Sequence, residues 1–158
     1  MTSIEQRLAA LEARTRAAED ELAIIRLVAS YGPLVDTGRD DLAPALFTAD
    51  GVYDVSHGRL AGPEAFAQLL RHQEHHDTLR QGIAHIMGLP WVRVEGDHAV
   101  ATNCTTLFLR EGDGYRTFRV AQNVWKLVRT PDGWKISERT NRLIGSDGEA
   151  PALLASAV

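Results

Sequence analysis

The chain has little of what would mark several large classes of protein. It holds one cysteine, Cys104, among 158 residues. That excludes an intramolecular disulfide framework, and a lone thiol fits a reducing, cytoplasmic setting. It has no surplus of positive charge: 17 Lys and Arg stand against 21 Asp and Glu, a formal net charge of −4. Partnership with nucleic acid or an anionic membrane surface is therefore not expected. No apolar run approaches the roughly 20 residues of a membrane span. The opening MTSIEQRLAALEARTRAAEDE is charged and amphipathic, unlike a secretory leader. A phosphate-cradling glycine loop, a nucleophile elbow, an internal repeat and a domain-dividing linker are all missing.

What is present reads as a single domain over residues 1–158, with a helical extension at 1–19 and a tail at 145–158. Hydrophobic residues at 44% and charged residues at 24% are ordinary for a globular protein. From Ser3 to about Val35, apolar residues Ile4, Leu8, Leu11, Ala18, Leu22, Ile25 and Ala29 recur at helical spacings. The part from Asp20 onward is expected to face the core, and the part before it to form a separate helix packed on a partner subunit or to fray. Gly32-Pro33 predicts a kink or break, and Gly38 a left-handed stop. Asp40 is placed to cap a short helix, DLAPALF. TADG then reads as a turn and VYDV as a strand. Pro63 starts another helix, expected to run to about His75.

From Gly82 the character changes. IAHIMGLPWVRVEG, Val100–Arg110, Tyr115–Arg129 and WKISERTNRLI are long strand patterns joined by EGDHA, EGDG and TPDG turns. Helices followed by such a meander predict an α+β fold with a curved antiparallel sheet. The tail, GSDGEAPALLASAV, reads as a short helix over one mouth of a pocket.

Two residues sit where local rules would rather not put them. Asp36 lies in the last turn of a helix, facing the negative end of the macrodipole. His85 leads an apolar strand and must find a polar partner if buried. Were the two to meet in a pocket, they would make a carboxylate-oriented general base. The bland alternatives are a core histidine bonded to a backbone carbonyl and a surface acid.

The segments IIRLVASYGPLVDTGRDD, ALFTADGVYDV, LAGPEAFAQLL, IAHIMGLPWVRVEGDHAVATN and DGWKISERTNR resemble, in order, the blocks of the SnoaL-like group of the nuclear transport factor 2 superfamily. The resemblance spans roughly residues 20–145 and implies a cone-shaped fold enclosing a pocket, with homodimerisation through the outer sheet face. In pattern it is nearest to hexachlorocyclohexane dehydrochlorinase, scytalone dehydratase and bile-acid 7α-dehydratase. It implies catalytic roles for His85 as base and Asp36 as its orienter. It further implies polar contacts to the reacting group from Tyr31, before the aspartate, and Arg139, after Trp134. A second strand acid of the bile-acid enzyme is absent; Asn103, Thr105 and Thr106 stand there instead.

The expected activity is thus a cofactor-free dehydratase, dehydrohalogenase or isomerase acting on a small hydrophobic cyclic molecule. The alternatives are a non-catalytic binder of an apolar metabolite and a structural β-subunit-like partner of a ring-hydroxylating dioxygenase. Asn123, Arg142, Trp91 and Asn103 are the further substrate-binding candidates. Trp91, Trp125 and Trp134 also read as core or interface residues, and Cys104 as a buried, inert thiol. His72, His75 and His76 share spacing with a metal cluster but read as a solvated helix end, so no metal site is expected. His57 and His98 read as exposed.

Overall fold

The computed structural model describes residues 3–56, 58–145 and 147–157; the expectation for His57 lies outside them. Helix α1 runs from Ile4 to Asp36 without a break. Ser3 Oγ accepts the Gln6 N–H while the Gln6 side chain accepts the Ser3 N–H, a reciprocal cap. The break expected at Gly32-Pro33 does not occur. Pro33 lies in the last turn, so it removes one helical bond and the chain continues to Asp36. Gly38, at φ 64°, then stops it.

Helix α1 carries two apolar faces. Ile24, Val28, Tyr31 and Val35, spaced four, three and four, are buried. The expected stripe instead points outward: Leu22 and Ala29 are exposed and Ile25 is only half-buried. Asp20 is where the helix leaves the body. Its carboxylate accepts from two Arg129 nitrogens at 2.7 and 2.8 Å and from Trp134 Nε1 at 3.1 Å. Those bonds from Arg129 hold the carboxyl below its usual range.

The helix expected at Asp40 is a run of turns closed by a single 3-10 turn, Pro44–Leu46; Pro44 has no N–H to donate to an α-helical ladder. Strand β1 spans Phe47–Val55, and TADG is an irregularity within it rather than a turn between elements. Strand β2 spans Gly58–Ala61. The helix expected from Pro63 divides in two, α2 over Pro63–Arg71 and α3 over Gln73–Gln81, because His72 is extended. The division lets α2 bury Phe66 and Leu70 while α3 turns His75 and Thr78 to a cavity.

The remaining strands are β3, Ile83–Met87; β4, Trp91–Glu95; β5, His98–Glu111; β6, Gly114–Thr130; and β7, Gly133–Leu143. The sheet order is β2-β1-β7-β6-β5-β3, with β4 also on β5. It curls without closing. Neighbours are antiparallel except β1 and β7, which pair in parallel, so the predicted meander becomes a mixed sheet. Helix α4, Glu149–Ala155, lies against β6 and β7.

Irregularities decide which side chains face inward. Met87 pairs with Thr105, but Trp91 pairs with Thr102, so one extra residue is held between β3 and β4. The alternation flips there: Met87 packs on the core from β3, and Val92 and Val94 do so from β4. Gly88 makes the flip possible, since a Cβ there would lie 2.9 Å from the Cys104 carbonyl oxygen. A second bulge skips Ser137 between β6 and β7. Before it Trp134 and Ile136 face inward; after it the inward residue is Arg139 rather than Glu138.

Candidate active site

The end of α1 meets the start of β3. Asp36 Oδ1 lies 2.5 Å from His85 Nδ1, and Oδ2 accepts the His85 backbone N–H at 2.7 Å. Both side chains are largely buried, at 12% and 18% exposure. One residue therefore satisfies both carboxylate oxygens, which offsets the unfavourable helix-end position. The carboxylate selects the tautomer with hydrogen on Nδ1. Nε2, with no partner among the described residues, is left as the basic nitrogen.

Gly32 permits this meeting. A Cβ there would lie 3.0 Å from the His85 carbonyl oxygen and 3.2 Å from His85 Cβ. The glycine read from the sequence as a helix breaker instead lets helix and strand backbones approach.

Beside the pair lies a buried cation. Arg139 is 4% exposed and has no carboxylate partner among the described residues. Its guanidinium carbon sits 4.4 Å from the Tyr31 ring centroid, 4.8 Å from Trp125 and 5.1 Å from Tyr53. Three aromatic faces thus replace an anion. One terminal nitrogen donates to Tyr31 Oη at 2.9 Å and the other to Asn123 Oδ1 at 2.8 Å, while Nε is buried without a hydrogen-bond partner. Tyr31 Oη accepts from Arg139 and keeps its own proton, with the Tyr53 hydroxyl as a neighbouring partner. Burial holds that phenol well above its usual range, with the Arg139 charge pulling the other way.

His85 lines a cavity of two adjoining lobes, about 240 and 330 Å³, which share Tyr53, Leu69, Glu74, His85, Leu107 and Arg119. Tyr31 lines one lobe and Arg139 the other. The lining mixes apolar and aromatic side chains such as Phe66, Leu69 and Leu107 with converging polar ones, His75, His85, Arg119 and Arg139 among them.

Of the predicted residues, His85, Asp36, Tyr31 and Arg139 come together. Asn123 does so only from behind. It is fully buried, and besides holding Arg139 it accepts from Asn141 and donates to Thr105 Oγ1, both at 2.8 Å. Asn103 is equally committed to the scaffold, donating to the Gly88 carbonyl at 3.0 Å and accepting from Trp125 Nε1 at 2.9 Å. Arg142 is drawn to Asp54 at 2.7 Å, between β7 and β1. Trp91 is not brought to the cavity. It is 44% exposed on β4, turned out by the flip at Gly88 and paired with Arg93.

Residues passed over in the sequence line the cavity instead. Tyr53 was within reach, since VYDV alternates with a period of two. Arg119 was not, because its facing depends on a register shift beside Phe118. His75 departs from the solvated reading given to its cluster: it lines the cavity, and its Nε2 is buried without a partner. Burial holds its imidazole below the usual value.

Residues 16–140 match the SnoaL-like domain. An NTF2-like protein with a cystatin-like fold from Novosphingobium aromaticivorans is 35% identical, with a TM-score of 0.90 over 98% of each chain. A candidate scytalone dehydratase from the same organism is 19% identical, with a TM-score of 0.70 over 84% of this chain and 89% of that one. The β-subunit of a candidate aromatic-ring-hydroxylating dioxygenase, again from that organism, is 22% identical, with a TM-score of 0.65 over 80% and 90%. The last two share the fold alone. No curated protein matches the chain.

Proposed function

Because the chain belongs to the SnoaL-like domain family, with the NTF2-like fold, we propose that it is a lyase or isomerase drawing a proton from carbon in a small hydrophobic cyclic substrate. The observation that carries this reading is the His85–Asp36 pair, doubly bonded and facing a cavity of mixed apolar and polar lining.

In the proposed reaction His85 Nε2 takes a proton from a carbon next to a leaving group or a carbonyl. Asp36 stabilises the imidazolium that forms. The electron pair of the broken C–H bond becomes a C=C bond. The leaving group departs with both electrons of its own bond, or the carbonyl oxygen takes up charge as an enolate. Tyr31 offers its proton to that oxygen, and the caged Arg139 charge stabilises it from behind. In an isomerisation the imidazolium returns the proton to a different carbon. Each step uses side chains alone.

The test is a screen of hydroxylated, halogenated and carbonyl-bearing alicyclic compounds. Product is followed by mass spectrometry, and C–H exchange in deuterated water by NMR. His85→Ala and Asp36→Asn should each lower the rate about 10²–10⁴-fold while circular dichroism and melting stay near the parent's. Full activity in either variant sinks the reading. The aromatic cavity also supports a second reading, a binder of an apolar metabolite, in which His85→Ala alters affinity and no substrate turns over. A structural β-subunit, by analogy with the dioxygenase neighbour, would need a larger partner, and co-purification tests for one.

A further inference from the structure

We propose that the outer face of α1 is a two-stranded, parallel coiled-coil seam that joins this chain to a second copy of itself. Ile4, Leu8, Leu11, Thr15, Ala18, Leu22, Ile25 and Ala29 are spaced four, three, four, three, four, three, four. This is the 3.5-residue repeat of a coiled coil, not the spacing of a scattered apolar surface. The fold leaves the seam uncovered: Ile4 is 83% exposed, Leu8 55%, Leu11 54% and Leu22 45%. The core is served by a different face, that of Ile24, Val28, Tyr31 and Val35. Residues 3–19 are exposed throughout, beyond the clamp that Arg129 and Trp134 make on Asp20. Most helical stability in proteins comes from packing an amphipathic face, and this stretch has no such packing within its own chain.

The flanking charges identify the occupant. Glu5, Glu12 and Glu19 follow the seam positions on one side, while Arg7 and Arg14 precede them on the other. None of these five is ion-paired within its own chain among the described residues. In a parallel, in-register pair, Arg7 of one copy faces Glu12 of the other, and Arg14 faces Glu19, each twice by symmetry. An antiparallel pair would set glutamate against glutamate and arginine against arginine. The charge pattern therefore fits a second copy running the same way.

Cross-linking in the full chain tests this, with Cys104→Ser as background. Ile4→Cys and Ala18→Cys, each alone, should form a disulfide-linked dimer under mild oxidation, because parallel register sets each position against itself. Linking of Ile4→Cys only when mixed with Ala29→Cys, and never with itself, would mean an antiparallel pair and overturn the proposal. So would no linking at all, or a trimer in sedimentation. Arg7→Glu with Arg14→Glu should abolish the link formed by Ala18→Cys. Mixing that chain with one carrying Glu12→Arg and Glu19→Arg should restore it; failure of the mixture to recover overturns the charge register. Melting of the body should not change in any variant, since all these side chains are exposed.

Discussion

At the scale of single residues, the site runs on partners rather than on residue types. Asp36 is unremarkable until both its oxygens are taken by His85. Arg139 is affordable in the interior because three rings and two oxygens surround it. His75 is the residue whose charge state the fold opposes. Its folded-state value lies below the ordinary 6.5 because of burial. The unfolded chain therefore takes up a proton first as the pH falls, and stability present above about 6.5 is lost progressively below it. In His75→Leu that loss should be smaller, read as urea midpoints between about pH 7 and pH 5. An acid slope equal to the parent's would remove His75 as a contributor. The sequence placed Asp36 and His85 as misfits, since helix-end electrostatics is local. It misplaced His75, because whether a polar helix is solvated depends on what it packs against.

At the scale of elements, close approaches and bulges set the geometry. Alanine at position 32 should favour the helix by about 1 kcal/mol by propensity. It must also push against the His85 carbonyl, 3.0 Å from the new Cβ, and overpacking of that kind typically costs about 1–3 kcal/mol. Gly32→Ala should therefore change the melting temperature little but lengthen the His85–Asp36 contact in a crystal structure. An unchanged contact would show that β3 yields freely. The expected single strand IAHIMGLPWVRVEG shows the limit of pattern reading. Its apolar character predicts strand, and strand it is on both sides of Gly88. The extra residue there reverses the alternation and sends Trp91 outward. The skipped Ser137 does the converse for Arg139. A bulge leaves no mark in composition, so neither facing is readable from the alternation; for Arg139 it is the family resemblance that implies it.

At the scale of the whole molecule, one curled sheet holds α1 and α2 against one core, with α3 beside the cavity. No described helix is long and apolar enough to cross a membrane. The body should unfold in a single transition, with calorimetric and van't Hoff enthalpies equal. A resolved second transition would argue against one domain. The order of the main elements follows from the sequence by itself, as does the need of Asp36 and His85 for partners. Periodicity, caps and dipoles act over a few residues, and matching blocks carry the fold. Only tertiary structure decided which strand residues face the cavity, since each bulge inverts all that follow it. It likewise decided that the longest apolar repeat lies outside the core, because a helix can serve two faces and only packing tells which one is left over.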